Sequence, residues 1–312
     1  MRDNFAVAMV YSGAYTGGRT AVFEELRRRL FAIAYRMLGM KADAEDIVQE
    51  AYVRWHQTDA DEVRSPEAWL VSVVTRLSID RLRKVAAERE RYTGPWLPEP
   101  IVVDTARSPQ EDLELASDLS LAFMVLLERL APVERAAFLL HDVFDCAYPV
   151  VGRVLQKSEA AARQVVHRAR ERVRSERQRF QVAEDDRREL IDKFMAAANS
   201  GDEMTLLSLF AEDATLTSDG GGVVPAARRV VQGRRRIARL YLLLARKLRD
   251  RLTEKVMWIN GEPGLVSFLD GKPLSVTSFE TSNGKIVAVY TVLNPTKLTG
   301  IPPIETKYAV TE

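Results

Sequence analysis

Arg163 and Gln164 stand side by side in the run Ser158-Glu-Ala-Ala-Ala-Arg-Gln-Val-Val-His-Arg168. Each of these two side chains can make paired hydrogen bonds to the edge of a base. By helical spacing they share one face with Ala160 and His167. Arg168, Arg170, Arg172 and Arg174 follow and can reach phosphates. Taken alone, the arginine run also fits a solvated helix with a favourable charge at its C-terminal end. The chain offers little for acid–base or covalent chemistry. Its three histidines, His56, His141 and His167, are scattered, and its single cysteine, Cys146, belongs to no ligand cluster. No metal-ligand spacing and no phosphate-binding glycine loop is present. Asp219 is the obvious carboxylate of the last third, but it opens an Asp-Gly-Gly-Gly turn, where Asp is common for backbone reasons. No cofactor, metal or catalytic residue is expected.

The elements around Arg163 suit the reading of DNA. A helix over Ala147–Leu155, a tight turn at Gln156-Lys157 and a second helix over Ser158–Arg174, capped by Ser158, form a helix-turn-helix pattern. Ala162, Val165, Val166, Ala169 and Val173 point inward. Upstream, Asp43 to Lys84 holds two more helices. On the first, Ala44, Ile47, Val48, Ala51, Tyr52 and Trp55 make one apolar stripe. The opposite face sets Asp46, Gln49 and Glu50 around Val53, which suits a docking surface as well as an ordinary solvated one. Ser65 and Pro66 start the second helix. Trp69, Leu70, Val73 and Leu77 form its core face. Val71, Thr75, Ile79 and Leu82 lie on the other side beside Arg76 and Arg83. A helix apolar on two sides and basic at its end must meet something besides its own core, and unpaired bases with their phosphates fit.

After Lys84 the helical pattern dissolves. Trp96-Leu97-Pro98-Glu99-Pro100 is an extended, proline-stiffened stretch that fits either an anchor or a spacer. From Asp185 the character changes. Two short helices, a strand at Ala214–Thr217, the Asp219-Gly220-Gly221-Gly222 turn and a helix at Gly233–Lys247 precede four strand-like runs. Asn260-Gly261, Asp270-Gly271 and Asn283-Gly284 between those runs are hairpin signals, which predicts a curled antiparallel sheet with helices on one face.

Three groups of motifs carry a family resemblance. Asp43-Ala-Glu-Asp46, Gln49-Glu50, Trp69-Leu70 and Leu77-Ser-Ile-Asp80-Arg-Leu-Arg83 resemble the promoter-melting domain of extracytoplasmic-function sigma factors. Ser158-Glu-Ala-Ala-Ala-Arg163 resembles the start of their minus-thirty-five recognition helix. Phe210-Ala-Glu-Asp213-Ala214 resembles the SnoaL-like cone fold. The glycine turn, Trp96-Leu-Pro-Glu-Pro100 and Asn294-Pro295-Thr-Lys-Leu298 are similar to the group that carries this domain fused at its C-terminus. The resemblance implies core polymerase binding by Asp43, Asp46, Gln49, Glu50 and Val53. It implies minus-ten contacts by Arg76, Asp80, Arg81, Arg83 and Lys84, and minus-thirty-five contacts by Ser158, Ala160, Arg163, Gln164, His167 and Arg168. Interdomain regulation would fall to Trp96 through Pro100, Asp219 through Gly222, Asn294 and Pro295, in place of a separate anti-sigma protein.

The bulk numbers agree with such a protein. A length of 312 residues suggests two or three domains. A net charge of +1 is low for a protein that must hold DNA alone, and fits one that contacts DNA within a larger assembly. One cysteine permits no internal disulfide, and no apolar run is long enough to span a membrane, so a cytoplasmic setting is expected. The expected fold is multidomain: a leader (1–20), a promoter-melting and core-binding helical domain (21–91), a proline-rich linker (92–112), a helix-turn-helix domain (113–180), an α+β SnoaL-like domain (185–298) and a tail (299–312). The expected partners are core RNA polymerase and promoter DNA, with a small molecule in the C-terminal pocket left open. An autonomous helix-turn-helix regulator with a ligand-sensing domain is the alternative.

Overall fold

The computed structural model describes residues 18–59, 63–103, 120–177 and 184–305. The leader up to residue 17, part of the loop before Ser65, the linker from 104 with Leu113, Leu115 and Leu119, and the end of the tail lie outside the described residues. Helices α1 (Arg19–Leu38), α2 (Lys41–Gln57) and α3 (Pro66–Glu90) form the first unit. Gly39 stops α1 in the left-handed conformation, φ 72°. Ser65 Oγ accepts the Ala68 N–H at 3.3 Å, and Pro66 occupies the first turn of α3. The pattern break after Lys84 predicts an earlier end than α3 has. The last turn is held from outside: Arg89 donates to the Leu38 carbonyl at 2.7 Å and pairs with Glu128.

A second helical unit follows, with α4 (Leu121–Leu127), α5 (Pro132–Phe138) continued by a π-helical turn at Leu139–Val143, α6 (Tyr148–Leu155) and α7 (Glu159–Arg177). The α6–α7 turn forms without glycine: Gln156 itself takes the left-handed conformation, φ 54°. The two units are not separate bodies. Leu30, Ile33, Ala51, Leu70, Val74, Leu127, Leu139, Val151 and Val166 belong to one continuous buried core. This corrects the reading of α3. Val71, Thr75, Ile79 and Leu82 are buried in protein rather than left open for DNA, whereas Trp69, Val73 and Leu77 are only partly buried.

The C-terminal unit comprises α8 (Glu184–Ser200), α9 (Glu203–Leu209), β2 (Phe210–Asp219), β3 (Val231–Gln232), α10 (Arg234–Leu248), β4 (Leu252–Ile259), β5 (Glu262–Leu269), β6 (Lys272–Ser282) and β7 (Lys285–Val292). Asn260, Asp270 and Asn283 adopt φ near 50° in the three hairpins, as their Asn-Gly and Asp-Gly pairs require. The sheet is mixed, not wholly antiparallel: β2 runs parallel to β7, because the chain between them crosses over through α10 and the three hairpins. The seventh strand is unexpected. Val102–Val103 of the linker (β1) pairs antiparallel with β4, Val102 opposite Ile259 and Val103 opposite Trp258, giving the order β1-β4-β5-β6-β7-β2-β3. The concave face packs under α8, α9 and α10 around Phe194, Phe210, Leu265 and Phe279. The convex face buries Val266, Phe268, Val276 and Val292 against Leu97 of the linker, Leu121 of α4 and Ile301.

Candidate nucleic-acid interface and interdomain node

Capping and stripe positions set the orientation of α2. Asp46, Gln49, Glu50 and Val53 all project to solvent, Val53 with 41% of its surface exposed. Asp43 is placed differently. It is half-buried and accepts two hydrogen bonds from the Arg81 guanidinium, at 3.0 and 2.8 Å. One residue expected on the polymerase face and one expected on the minus-ten surface therefore hold each other. Asp80, Arg83 and Lys84 are exposed, and Arg83 pairs with Asp80 at 3.3 Å. Arg76 points across to the second unit. It donates to the Val154 carbonyl at 2.9 Å and the Arg153 carbonyl at 2.8 Å, so that its cation meets the negative end of α6.

On α7, Ser158 Oγ accepts the Ala161 N–H at 3.2 Å, and Ala160, Arg163, Gln164, His167 and Arg168 are exposed on one side. Arg163 lies 4.2 Å above the Tyr148 ring and pairs with Glu159 one turn earlier. Arg170 binds Asp142 at 2.7 Å, and Arg172 pairs with Glu134. These two arginines therefore hold α7 against α5 and the π-helical turn. Burial pushes the Cys146 thiol up, as suits a small buried side chain in the core.

The residues expected to link the domains converge on one carboxylate. Asp219, wholly buried, ends β2 and presents its side chain to the linker. Its Oδ2 receives Lys297 Nζ at 2.7 Å and the Leu97 N–H at 2.9 Å. Its Oδ1 receives the Tyr92 hydroxyl at 2.6 Å and the Gly221 N–H at 3.0 Å. Asn294 donates to the Tyr92 oxygen at 2.8 Å, and Lys297 also donates to the Leu97 carbonyl. Trp96 sits between two cations, with Arg89 3.7 Å and Lys297 4.1 Å from its ring centre. Glycine is required where the linker passes: a Cβ on Gly39 would lie 2.7 Å from Trp96, and one on Gly221 2.5 Å from Asn294. Burial holds the Lys297 amine below its ordinary range despite Asp219 beside it, and it raises the Tyr92 phenol, with Asp219 adding to that rise.

Glu99 is the second fastening. Met40 gives α2 no side-chain cap, and Glu99 Oε2 accepts the Lys41 N–H at 2.9 Å in its place. The Glu99 N–H donates to the Gly39 carbonyl at 2.8 Å, and its own carbonyl accepts the Tyr35 hydroxyl at 2.6 Å. Asn260 donates to that same Tyr35 oxygen at 3.0 Å and accepts the Ile101 N–H at 3.0 Å. Pro98 and Pro100 are buried alongside, and Pro295 opens the 3-10 turn that delivers Lys297. Sequence reasoning assigned no role of this kind to Tyr35, Arg89, Tyr92 or Asn260. Asn260 carried a hairpin signal, which concealed its second use as a clamp. No single-sequence pattern marks the other three.

Comparison with known proteins agrees with this geometry. Residues 22–88 match Sigma-70 region 2 and residues 120–173 match Sigma-70, region 4. The first unit and the helix-turn-helix unit thus define a sigma-70-type transcription factor. The extracytoplasmic function (ECF) RNA polymerase sigma factor SigJ of Mycobacterium tuberculosis is 40% identical over 292 residues, 90% of this chain and 93% of that protein. Its crystal structure superposes with a TM-score of 0.74 at 38% identity, over 91% of this chain and all of that one. The probable ECF sigma factor SigI of the same species is 28% identical over 89% of this chain and 94% of its own length. The chain belongs to the ECF RNA polymerase sigma factors, with regions 2 and 4 followed by a SnoaL-like domain.

Proposed function

We propose that this chain directs core RNA polymerase to promoters and that its C-terminal domain holds it in a closed resting form, with no separate anti-sigma protein. Core polymerase docks on Asp46, Gln49, Glu50 and Val53 of α2. Arg163 and Gln164, with Ala160 and His167, read the minus-thirty-five element, and Ser158 and Arg168 take adjacent phosphates. Arg76, Asp80, Arg81, Arg83 and Lys84 serve the minus-ten element once the closed form opens. Tethering within one chain keeps the C-terminal contact populated without high intrinsic affinity. The C-terminal domain acts by binding and not by catalysis, and the whole works in the cytoplasm.

The observation that carries this reading is the single core shared by α3, α5 and α6. The two promoter elements are about 25 base pairs apart, roughly 85 Å at 3.4 Å per pair. Two helices packed in one core cannot reach both. Opening must therefore separate the units, and the linker node is the contact that opposes it. Transcription from a cognate promoter with purified core polymerase tests the reading. Reversing the charge at Asp46 together with Gln49→Ala should weaken core binding with the fold intact, because both side chains are exposed. Trp96→Ala should change promoter output with core affinity retained. Unchanged core binding in the first variant counts against the polymerase face, and unchanged output in the second counts against the internal regulator.

A further inference from the structure

The concave face of the sheet carries a polar patch that the linker node does not use. Strand register assembles it in two rows. Glu254 on β4 stands opposite Ser267 on β5, which stands opposite Ser275 on β6. One step along, Thr277 on β6 stands opposite Thr291 on β7, which stands opposite Ser218 on β2. All five hydroxyl residues are buried. On the same face, two residues further, Leu265, Phe279, Val289 and Leu216 form ordinary apolar core. A domain that only had to cover this face with helices would continue in that style, since a buried hydroxyl without a good partner costs stability.

The patch is incompletely satisfied. The Thr277 and Thr291 hydroxyls share one hydrogen bond of 3.2 Å. Tyr241 descends from α10 with its hydroxyl beside them, buried and without a hydrogen bond of normal geometry. Ser267 donates to Glu254 at 3.4 Å, and Asn199 of α8 lies against the same carboxylate. Burial pushes the Tyr241 phenol up to about 12, which keeps it a donor at neutral pH, and pushes the Glu254 carboxyl up. Around this floor Leu240, Leu242, Val256 and Met195 are only partly covered, so the walls are apolar and open to solvent. Apolar walls with a few converging polar groups are the usual form of a small-molecule site.

We propose that this face binds a small, uncharged and largely apolar ligand bearing a carbonyl or hydroxyl oxygen, which Tyr241 and Thr277 hold by hydrogen bonds. Glu254 accepts from a ligand hydroxyl and disfavours an anion. The inference rests on the C-terminal domain being the regulator, and it states what that domain senses. The coupling path is short. Ser218 faces the patch, and the next residue, Asp219, faces the linker, because successive side chains of a strand point to opposite faces. A ligand that shifts the end of β2 shifts the carboxylate that holds Leu97, Tyr92 and Lys297.

Ligand-observed NMR on the full chain tests the site with three probes of similar size: 2-naphthol, 2-acetylnaphthalene and 2-naphthoate. The two neutral probes should bind, and the carboxylate at least about tenfold more weakly. Tyr241→Phe and Thr277→Val should each weaken the neutral probes by about threefold to tenfold, the worth of one hydrogen bond. Glu254→Gln should weaken the alcohol more than the ketone. The melting temperature of ligand-free Tyr241→Phe should stay level or rise, because the hydroxyl has no partner to lose; a structural role predicts a fall. No binding of either neutral probe at millimolar concentration overturns the site, as does equal binding of the carboxylate, or binding indifferent to Tyr241→Phe and Thr277→Val alike. Binding that leaves promoter output unchanged upholds the site and overturns the sensing role. Output that responds to Trp96→Ala in a protein that binds no probe upholds the regulator and overturns the site.

Discussion

The two helices assigned to promoter DNA are treated in opposite ways by the fold. On α7 the base-reading side chains are free: Ala160, Arg163, Gln164 and His167 are exposed, and Arg163 is held only by Glu159 and the Tyr148 ring. On α3 the second apolar face is buried, Arg76 is spent on the α6 carbonyls and Arg81 on Asp43. Closure thus acts on the melting helix and spares the upstream reader. A closed molecule can still be searched against the minus-thirty-five element while it is unable to capture an opened strand. The difference also places the control: it lies in the contacts of α3 and the linker, away from the face of α7.

The largest way to break this asymmetry is Asp219→Ala. The substitution leaves the Lys297 charge buried and unpaired and frees the Leu97 N–H and the Tyr92 hydroxyl, which should weaken docking of the linker by about 3–5 kcal/mol. Hydrogen exchange should show residues 92–103 losing protection while α7 keeps its own; equal loss in both would contradict the asymmetry. Arg76→Ala comes next. Losing charge-assisted bonds to two helix-terminal carbonyls should loosen α3 from α6 by about 2 kcal/mol. The closed form should give way at lower denaturant, and duplex binding at the upstream element should not change. Arg163→Ala and Gln164→Ala sharpen the comparison from the other side. Each should cost about 1–3 kcal/mol of base discrimination, with little change in melting temperature, as read by a promoter-sequence panel. A profile insensitive to both would mean that α7 lies in the groove differently.

The smallest expected effect is on pH. The Tyr92 and Tyr35 phenols are both raised by burial in the node and beside Glu99. For a group raised in the folded state, the stabilisation is present in full below the unfolded value of about 10 and is lost as pH climbs towards the folded value. Linker protection should therefore decline above about pH 10. Tyr92→Phe and Tyr35→Phe should flatten that decline, and an unchanged alkaline slope in the double variant would assign it to other groups.

Much of the local structure was legible. Ser65-Pro66, Ser158 and the three Asn-Gly or Asp-Gly pairs act through their own backbone neighbours, so the starts of α3 and α7 and the hairpins of the sheet follow from sequence. Helical period likewise put Asp46, Gln49, Glu50 and Val53 on the open side of α2 and Arg163 and Gln164 on that of α7. Asp43 shows the boundary of such reasoning. Its spacing places it near the same surface, but only the approach of α3 decides that it pairs with Arg81.

What tertiary structure alone decided is everything that depends on a partner distant in the chain. Apolar spacing showed that α3 has two faces to bury, and it said nothing of what would cover the second; α5 and α6 do so. A proline-framed tryptophan suggested an anchor. That Lys297 and Arg89 close on its ring from both sides, and that Val102–Val103 adds a strand to β4, required the sheet to exist first. The parallel pairing of β2 with β7 has the same origin, since no local signal reports a crossover of some 70 residues. Capping and turn chemistry act within a few residues and are written into them. Burial of charge and strand addition depend on surfaces that only folding brings together.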